Sequence, residues 1–369
     1  DVCSSNLGLF AGAFFGHMVN RSGAADAAGA GIVKLCGGRA LPVLLLVGLP
    51  IFVVGMFVGL AGIAVLSAGV YVVPALRRLG FHDATIAAFV AVIAVAGMIA
   101  PPVNVPAMHI SDGVNMPWTN VSRALLALAV PLALAALVWF SWLHSRSGAA
   151  APTTDNTAGS LGGCLRGLSP ILVCVAIWIL VRVFPTAFVD PAAPLVLVIG
   201  GLVAVPMLPR GELSKIVNAT FTGTPLLLGA VLVAVGVFVQ SMTLTGVRGW
   251  LVISTMSLVA PWNYPSLLIG MPLIGGSLTS MTVADIIGVP AAFSFIGQDM
   301  ILNVAALSAI SALAEFIPPT SIAAALSCYI VGTPSVGQVF WRALPPMAVL
   351  AALAVLMLLF APRLAGILT

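Results

Sequence analysis

The chain has 369 residues, 61% of them hydrophobic and 7% charged, with a formal net charge of +4 and a mean hydropathy of +1.20. Several apolar runs are long enough to cross a bilayer core, and the charged fraction is far too small to cover a water-soluble domain of this length. The runs are continuous, not ten-residue alternating segments, which excludes a β-barrel and leaves an all-α polytopic membrane protein.

Residues 7–19 form a short first apolar segment, followed by the polar "NRSGAADAAG" (20–29) and a long apolar run, 41–74. That run is too long for one crossing, and the glycines of "GMFVGLAG" (55–62) at its middle predict a hairpin that enters the membrane and turns back. After the basic loop "LRRLGFHD" (76–83) comes a second apolar run, 84–112, which carries Pro101-Pro102 in its interior. Adjacent prolines remove backbone donors, so this run reads as a broken helix. Trp118, Thr119 and Asn120 mark a membrane interface, and 124–143 is an uninterrupted span.

The stretch "GAAAPTTDNTAGSLGG" (148–163) is the only low-complexity linker, and it divides the chain into 1–147 and 168–369 with a polar connection over 148–167. Spans are predicted at about 168–184, 192–208 and 216–240. The region 264–297 then repeats the hairpin logic around "GGSLTSMT" (275–282). A second broken helix, 299–331, holds Pro318-Pro319, and a last span lies near 345–362.

The repetition extends to residues. "IAPPVNVPAM" (99–108) corresponds to "FIPPTSIAAA" (316–325), and the Arg-Ala-Leu at Arg123 and Arg342 follows the second proline by 21 and 23 residues. An odd span count between Arg123 and Arg342 would put the halves in opposite orientations. Inverted repeats whose broken helices meet near the midplane are a design of secondary transporters.

A helix broken in the membrane leaves carbonyls and amides that lipid cannot satisfy; an ion, water, substrate or neighbouring protein must do so. Carbonyl ends suit Na⁺ and amide ends suit a carboxylate. The nearest polar side chains are Asn104 after the first break and Thr320 and Ser321 after the second. The alternative is that each Pro-Pro merely kinks a helix whose Ser or Thr bonds back to its own turn. The second hairpin tip offers Ser277, Thr279, Ser280 and Thr282; the first offers backbone at Gly59 and Gly62 and no hydroxyl.

Two acids lie in apolar surroundings. Glu315 reads as a cation ligand or proton carrier, or equally as a cap or the partner of an Arg; Asp285 reads as a cap of the second hairpin leg. Arg123 and Arg342 read as interface anchors preceding a span. His17, His82, His109 and His144 have no metal-ligand spacing and read as structural or interfacial. Cys3, Cys36, Cys164, Cys174 and Cys328 are scattered, without a CxxC, and read as buried thiols. Neither a hydrolase, a nucleotide-binding nor a zinc-protease motif is present, so enzyme function is not expected, nor is a nucleic-acid partner. The opening "DVCSSNLGLFAG" has no basic leader and no Met, which suggests a fragment or processed product.

Five stretches together resemble the large membrane subunit of the TRAP transporters, the DctM-like permeases of the ion transporter superfamily. They are "LGLFAGAFFGHMVNRSGAADAAG" (7–29), the segment 70–108, the segment 208–247, "AEFIPPTSIAAAL" (314–326) and 341–362. The resemblance implies an elevator-type carrier in the bacterial inner membrane, driven by the Na⁺ gradient and needing no cofactor beyond that ion. It implies a periplasmic substrate-binding protein that delivers a small organic acid, C4-dicarboxylate-like, and a small four-helix membrane subunit. It places the Na⁺ and substrate sites at Gly59 to Gly62, Pro101, Pro102 and Asn104, at Ser277, Thr279 and Ser280 of the 275–280 tip, and at Pro318 to Ser321.

Three departures stand against the family pattern. Gly59-Leu60-Ala61 replaces a usual Gly-Ser-Ser, the second tip is about three residues longer with Gly275-Gly276-Ser277, and Val103 replaces a Ser. The family's first scaffold helices are expected before residue 1. The departures keep open a self-sufficient Na⁺- or H⁺-coupled carrier or exchanger of the same superfamily that needs no binding protein. A membrane enzyme or non-transporting scaffold has only the missing Gly-Ser-Ser in its favour.

Overall fold

The computed structural model describes residues 2–118, 120–146, 161–184, 186, 191–256, 263–295, 297, 299–333 and 335–368. Every regular element among them is helical. The first half comprises α1 (Val2–Arg21), α2 (Ala24–Leu35), α3 (Ala40–Val58), α4 (Ala61–Ala68), α5 (Val72–Arg78), α6 (Asp83–Ile99), α7 (Val105–Gly113) and α8 (Ser122–Arg146). Then come α9 (Leu161–Val183), α10 (Ala193–Val203), α11 (Glu212–Thr220), α12 (Gly223–Leu244) and α13 (Val247–Met256). The last group is α14 (Asn263–Gly276), α15 (Ser280–Val283), α16 (Val289–Phe293), α17 (Met300–Ala312), α18 (Ile322–Val331), α19 (Val336–Leu359) and α20 (Ala361–Leu368). Six stretches are long and apolar enough to cross a membrane, two of which, Ala40–Val58 and Ala61–Arg78, are the legs of the first hairpin.

Both predicted hairpins form. Gly59 closes α3 in the left-handed conformation at φ 70°, which glycine adopts without steric cost, and α4 turns back along α3. In the second hairpin α14 ends at Gly276, and the return leg starts with α15, capped by the Thr279 hydroxyl, and runs through a π-helical turn, Ala284–Gly288, into α16. Asp285 sits inside that π turn, so the leg is capped by Thr279 and not by Asp285. Both predicted helix breaks form as well, α6 to α7 across 100–104 and α17 to α18 across a 3₁₀ turn (Leu313–Phe316) and 317–321. Pro101-Pro102 and Pro318-Pro319 are both cis.

Elsewhere the boundaries move. The span expected at 216–240 is two helices, because Phe221 and Thr222 separate α11, amphipathic with Ile216 and Thr220 buried, from the apolar α12. The final span begins earlier, at Val336, so Arg342 lies inside α19, where its guanidinium donates to the Thr85 hydroxyl and its carbonyl accepts from Trp139 Nε1 at 2.9 Å. It joins three helices and does not precede a span. Of the polar connection 148–167, residues 148–160 lie outside the described residues and 161–167 are already helix α9. Thr119 lies outside them too, as does the Cys3 side chain, while Cys36 is only half-buried.

The two halves pack reciprocally. α6 lies on α18 and α17 lies on α7; α4 contacts α18, and the second hairpin's return leg contacts α7. α8 and α19 pack on each other, and each touches both α6 and α17. This exchange buries α6 and α17 almost completely, with small residues (Ala84, Ala87, Ala88, Ala91, Ala94) allowing close approach. Arg21, Arg77, Arg78, Arg146 and Lys215 collect at one end of the bundle. Arg21 pairs with Glu212 of α11, Arg77 donates to the Val331 carbonyl, and Phe81 stacks on His144.

Candidate functional site

Each helix break is clamped to a hairpin tip by the same backbone bond. The residue after the first Pro-Pro, Val103, donates its N–H to the Met56 carbonyl at 3.2 Å; the residue after the second, Thr320, donates to the Gly276 carbonyl at 2.8 Å. Prolines supply no N–H of their own, so the first donor after each pair is the one free to reach out. Both tips come close enough to exclude a side chain. A Cβ on Gly59 would lie 2.7 Å from Val103 Cγ1, and one on Gly276 would lie 2.8 Å from the carbonyl oxygens of Ile317 and Pro318. Gly62 faces Ile322 and Leu326 of α18, which brings the first tip to the second break.

Asn104 is buried and caps α7: its Oδ1 accepts from Ala107 N at 2.9 Å, while Nδ2 donates to the Ile99 carbonyl (3.1 Å) and Ser308 Oγ (3.3 Å) of α17. It thus spans its own break and ties it to the other half. The second break has no equivalent cap. Ser321 stands at the N-cap of α18 with φ 39°, buried, and its hydroxyl has no partner among the described residues. A left-handed serine with an orphan buried hydroxyl costs free energy twice, through strain and desolvation, and such costs cluster at functional positions. Thr320 donates its hydroxyl to the Gly276 carbonyl at 2.9 Å and keeps its lone pairs.

The free amide of α18 is served by Glu315. Its Oε2 accepts from Ala323 N at 3.1 Å, and its Oε1 accepts from Ser280 Oγ at 2.5 Å, so one buried carboxylate joins the second tip to the second break. The cap reading of Glu315 therefore describes one of its oxygens, and among the described residues the ion pairs involve other carboxylates. Three residues before its Pro-Pro, Glu315 has Met98 as its counterpart in the first half; Met98 Sδ lies 4.0 Å from the same Ser280 hydroxyl.

A small cavity, about 50 Å³, lies between the tips, lined by Ala61, Gly62, Thr279, Ser280 and Glu315, with Leu9 of α1 and Leu228 of α12 closing the far wall. A larger one of about 310 Å³ adjoins it, sharing Leu60, Ile63 and Met281 and reaching His109. Of the predicted site residues Gly62, Thr279, Ser280 and Glu315 line the tip cavity; Gly59, Pro101, Pro102, Asn104, Thr320 and Ser321 do not, nor do Ser277, Pro318 and Pro319, which are exposed. At the basic end a third cavity, about 300 Å³, is lined by His17, Asn20, Arg21, Lys215 and Tyr329, where His17 spans Thr220 (3.4 Å) and Tyr329 (3.3 Å). His82 caps α6 through Ala84 N. Among the described residues no group of three or more His, Cys, Asp or Glu is placed to hold a metal ion.

The tips and breaks are legible in the sequence; the roles of Met98, Ser308 and Ala323 are not. The only signal for Met98 was its offset of three from Pro101, equal to that of Glu315 from Pro318.

Among known proteins, residues 7–146 match the family described as "Tripartite ATP-independent periplasmic transporter, DctM component". The match spans the first hairpin, the first broken helix and α8. No curated protein matches the chain.

Proposed function

We infer that this chain, whose residues 7–146 match the DctM family, is a permease component of a TRAP-type secondary transporter that takes up a small organic acid across the bacterial inner membrane, coupled to Na⁺. One observation carries the reading: each Pro-Pro break is bonded to its own hairpin tip through equivalent amides, and residues of both tips line one cavity. An elevator-type carrier needs such rigid ion-dependent units, with the two halves in opposite orientation. The reciprocal packing of α6 on α18 and α17 on α7 supports that arrangement. The collection of basic residues at one end supports placing that end in the cytoplasm.

In this mechanism Na⁺ is a co-substrate. The Thr320 hydroxyl, with its lone pairs free, and the orphan Ser321 hydroxyl supply oxygens beside the second break. Asn104, whose amide groups are already bonded, holds the first break in shape, leaving backbone oxygens to do any coordination there. The partners are a periplasmic binding protein and a small four-helix subunit, which would cover the apolar residues that α12 and α19 expose, such as Leu227, Val237 and Trp341.

Proteoliposomes carrying the chain with its small subunit and binding protein are expected to accumulate an organic acid only under an inward Na⁺ gradient. Equal uptake without Na⁺ sinks the coupling. Uptake by the purified chain alone selects the second reading, a self-sufficient carrier, which the altered first tip and Glu315 favour. Thr320→Val, which keeps the amide bond to Gly276 and removes only the hydroxyl, and Ser321→Ala are each expected to weaken apparent Na⁺ affinity by roughly tenfold. Unchanged Na⁺ dependence of uptake in both variants would move the ion away from the second break.

A further inference from the structure

Glu315 places a carboxylate against the tip cavity with nothing of opposite charge paired to it among the described residues. It is 5% exposed, and its described partners, the Ser280 hydroxyl and the Ser280 and Ala323 amides, are neutral donors. Neither a lysine nor an arginine lines the tip cavity or its larger neighbour, and His109, in the neighbour, is the one histidine of the two. The fold uses one Glu315 oxygen, as acceptor for the Ala323 amide at the start of α18, and leaves the other facing Ser280. The first half has Met98 at the corresponding place and caps α7 with the neutral Asn104, so a break of this kind can be capped without a charge. A buried acid is a functional group by default in a membrane.

We propose that the organic acid carried by this chain also bears an ammonium group, and that Glu315 is the residue that recognises it. This rests on the transporter reading above and names its substrate class. The two oxygens of a carboxylate accept about four hydrogen bonds in all, and Glu315 has three donors, the Ser280 hydroxyl, the Ser280 amide and the Ala323 amide, so room for an N–H remains. The Thr279 and Ser280 hydroxyls beside it are further acceptors for the same group. A dicarboxylate without an amine would set a like charge against Glu315 in a site shielded from water, where repulsion is strongest. The shared wall of Leu60, Ile63 and Met281 lets the methylene chain of an amino acid extend toward the larger cavity.

The test compares 4-aminobutyrate with succinate, equal in carbon number and differing in one end group. Binding to the purified full chain in nanodiscs, at constant Na⁺, is read by calorimetry and by the shift in thermal unfolding. The expected result is binding of 4-aminobutyrate in preference to succinate, weakened about tenfold or more in Glu315→Gln, with succinate unaffected or improved. Glu315→Met, the side chain of the other half, is the second variant and is expected to give the same loss with the fold retained. Preference for succinate, equal affinity of wild type and both variants for 4-aminobutyrate, or binding of neither compound overturns the proposal. If both variants lose the Na⁺-dependent rise in unfolding temperature and keep 4-aminobutyrate binding, Glu315 is an ion ligand and the proposal fails. The transporter reading stands in that case, because it fails only if Na⁺-driven uptake is absent for every organic acid supplied.

Discussion

Gly276→Ala is expected to reduce Na⁺-driven uptake by about tenfold or more, an effect equal to about 1.4 kcal/mol on the limiting step. The added methyl would lie 2.8 Å from the carbonyl oxygens of Ile317 and Pro318 and 2.7 Å from Ile317 Cγ2. Backbone oxygens cannot rotate away as a side chain does, so the second tip must lift from the second break. Lifting breaks the Thr320 amide bond and the Thr320 hydroxyl bond, both made to the Gly276 carbonyl. Overpacking at such a contact costs about 1–3 kcal/mol. Gly270→Ala is the control: it lies in the same helix, α14, with nothing within 4 Å of the new methyl, and it should leave uptake and thermal stability unchanged. Uptake at wild-type rate in Gly276→Ala would show that the clamp is not needed for transport.

Asn104→Ala is expected to lower stability by about 2–4 kcal/mol, the sum of a lost helix cap and a buried carbonyl left without its donor. The side chain caps α7, satisfies the Ile99 carbonyl where α6 ends, and reaches Ser308 on α17. Its removal frees both sides of the first break at once and cuts the link to the other half. Asn104→Ser keeps an acceptor for the cap and is expected to recover about 1 kcal/mol of the loss. The unfolding temperature of the purified chain reads both variants, and an Asn104→Ala protein as stable as wild type would show that water replaces the amide.

Both predictions concern features visible as sequence, a glycine at a tip and an asparagine after a Pro-Pro, yet their sizes come from contacts between segments far apart in the chain. Gly276 meets a carbonyl 41 and 42 positions later, and Asn104 meets Ser308 across 204. Pro-Pro itself is an incomplete signal. Pro345-Pro346 lies inside the unbroken helix α19, while the two cis pairs separate helices. The pairs that break are followed by a residue whose amide finds a hairpin tip, and that partner is set by packing.

The helical class, the two helix–turn–helix tips and the two broken helices can be read from composition, glycine and proline, because these act locally on the backbone and need no partner to do so. The sequence did not separate α11 from α12 or find α13, since short amphipathic helices have no long apolar run to mark them. Only the tertiary structure decided which polar groups meet. Asn104 is a satisfied cap, Ser321 an orphan, Thr320 a clamp, and Glu315 a carboxylate shared between Ser280 and Ala323. The role of a buried polar group follows from the partners left to it after the helices have packed, and that remainder is a property of the folded assembly.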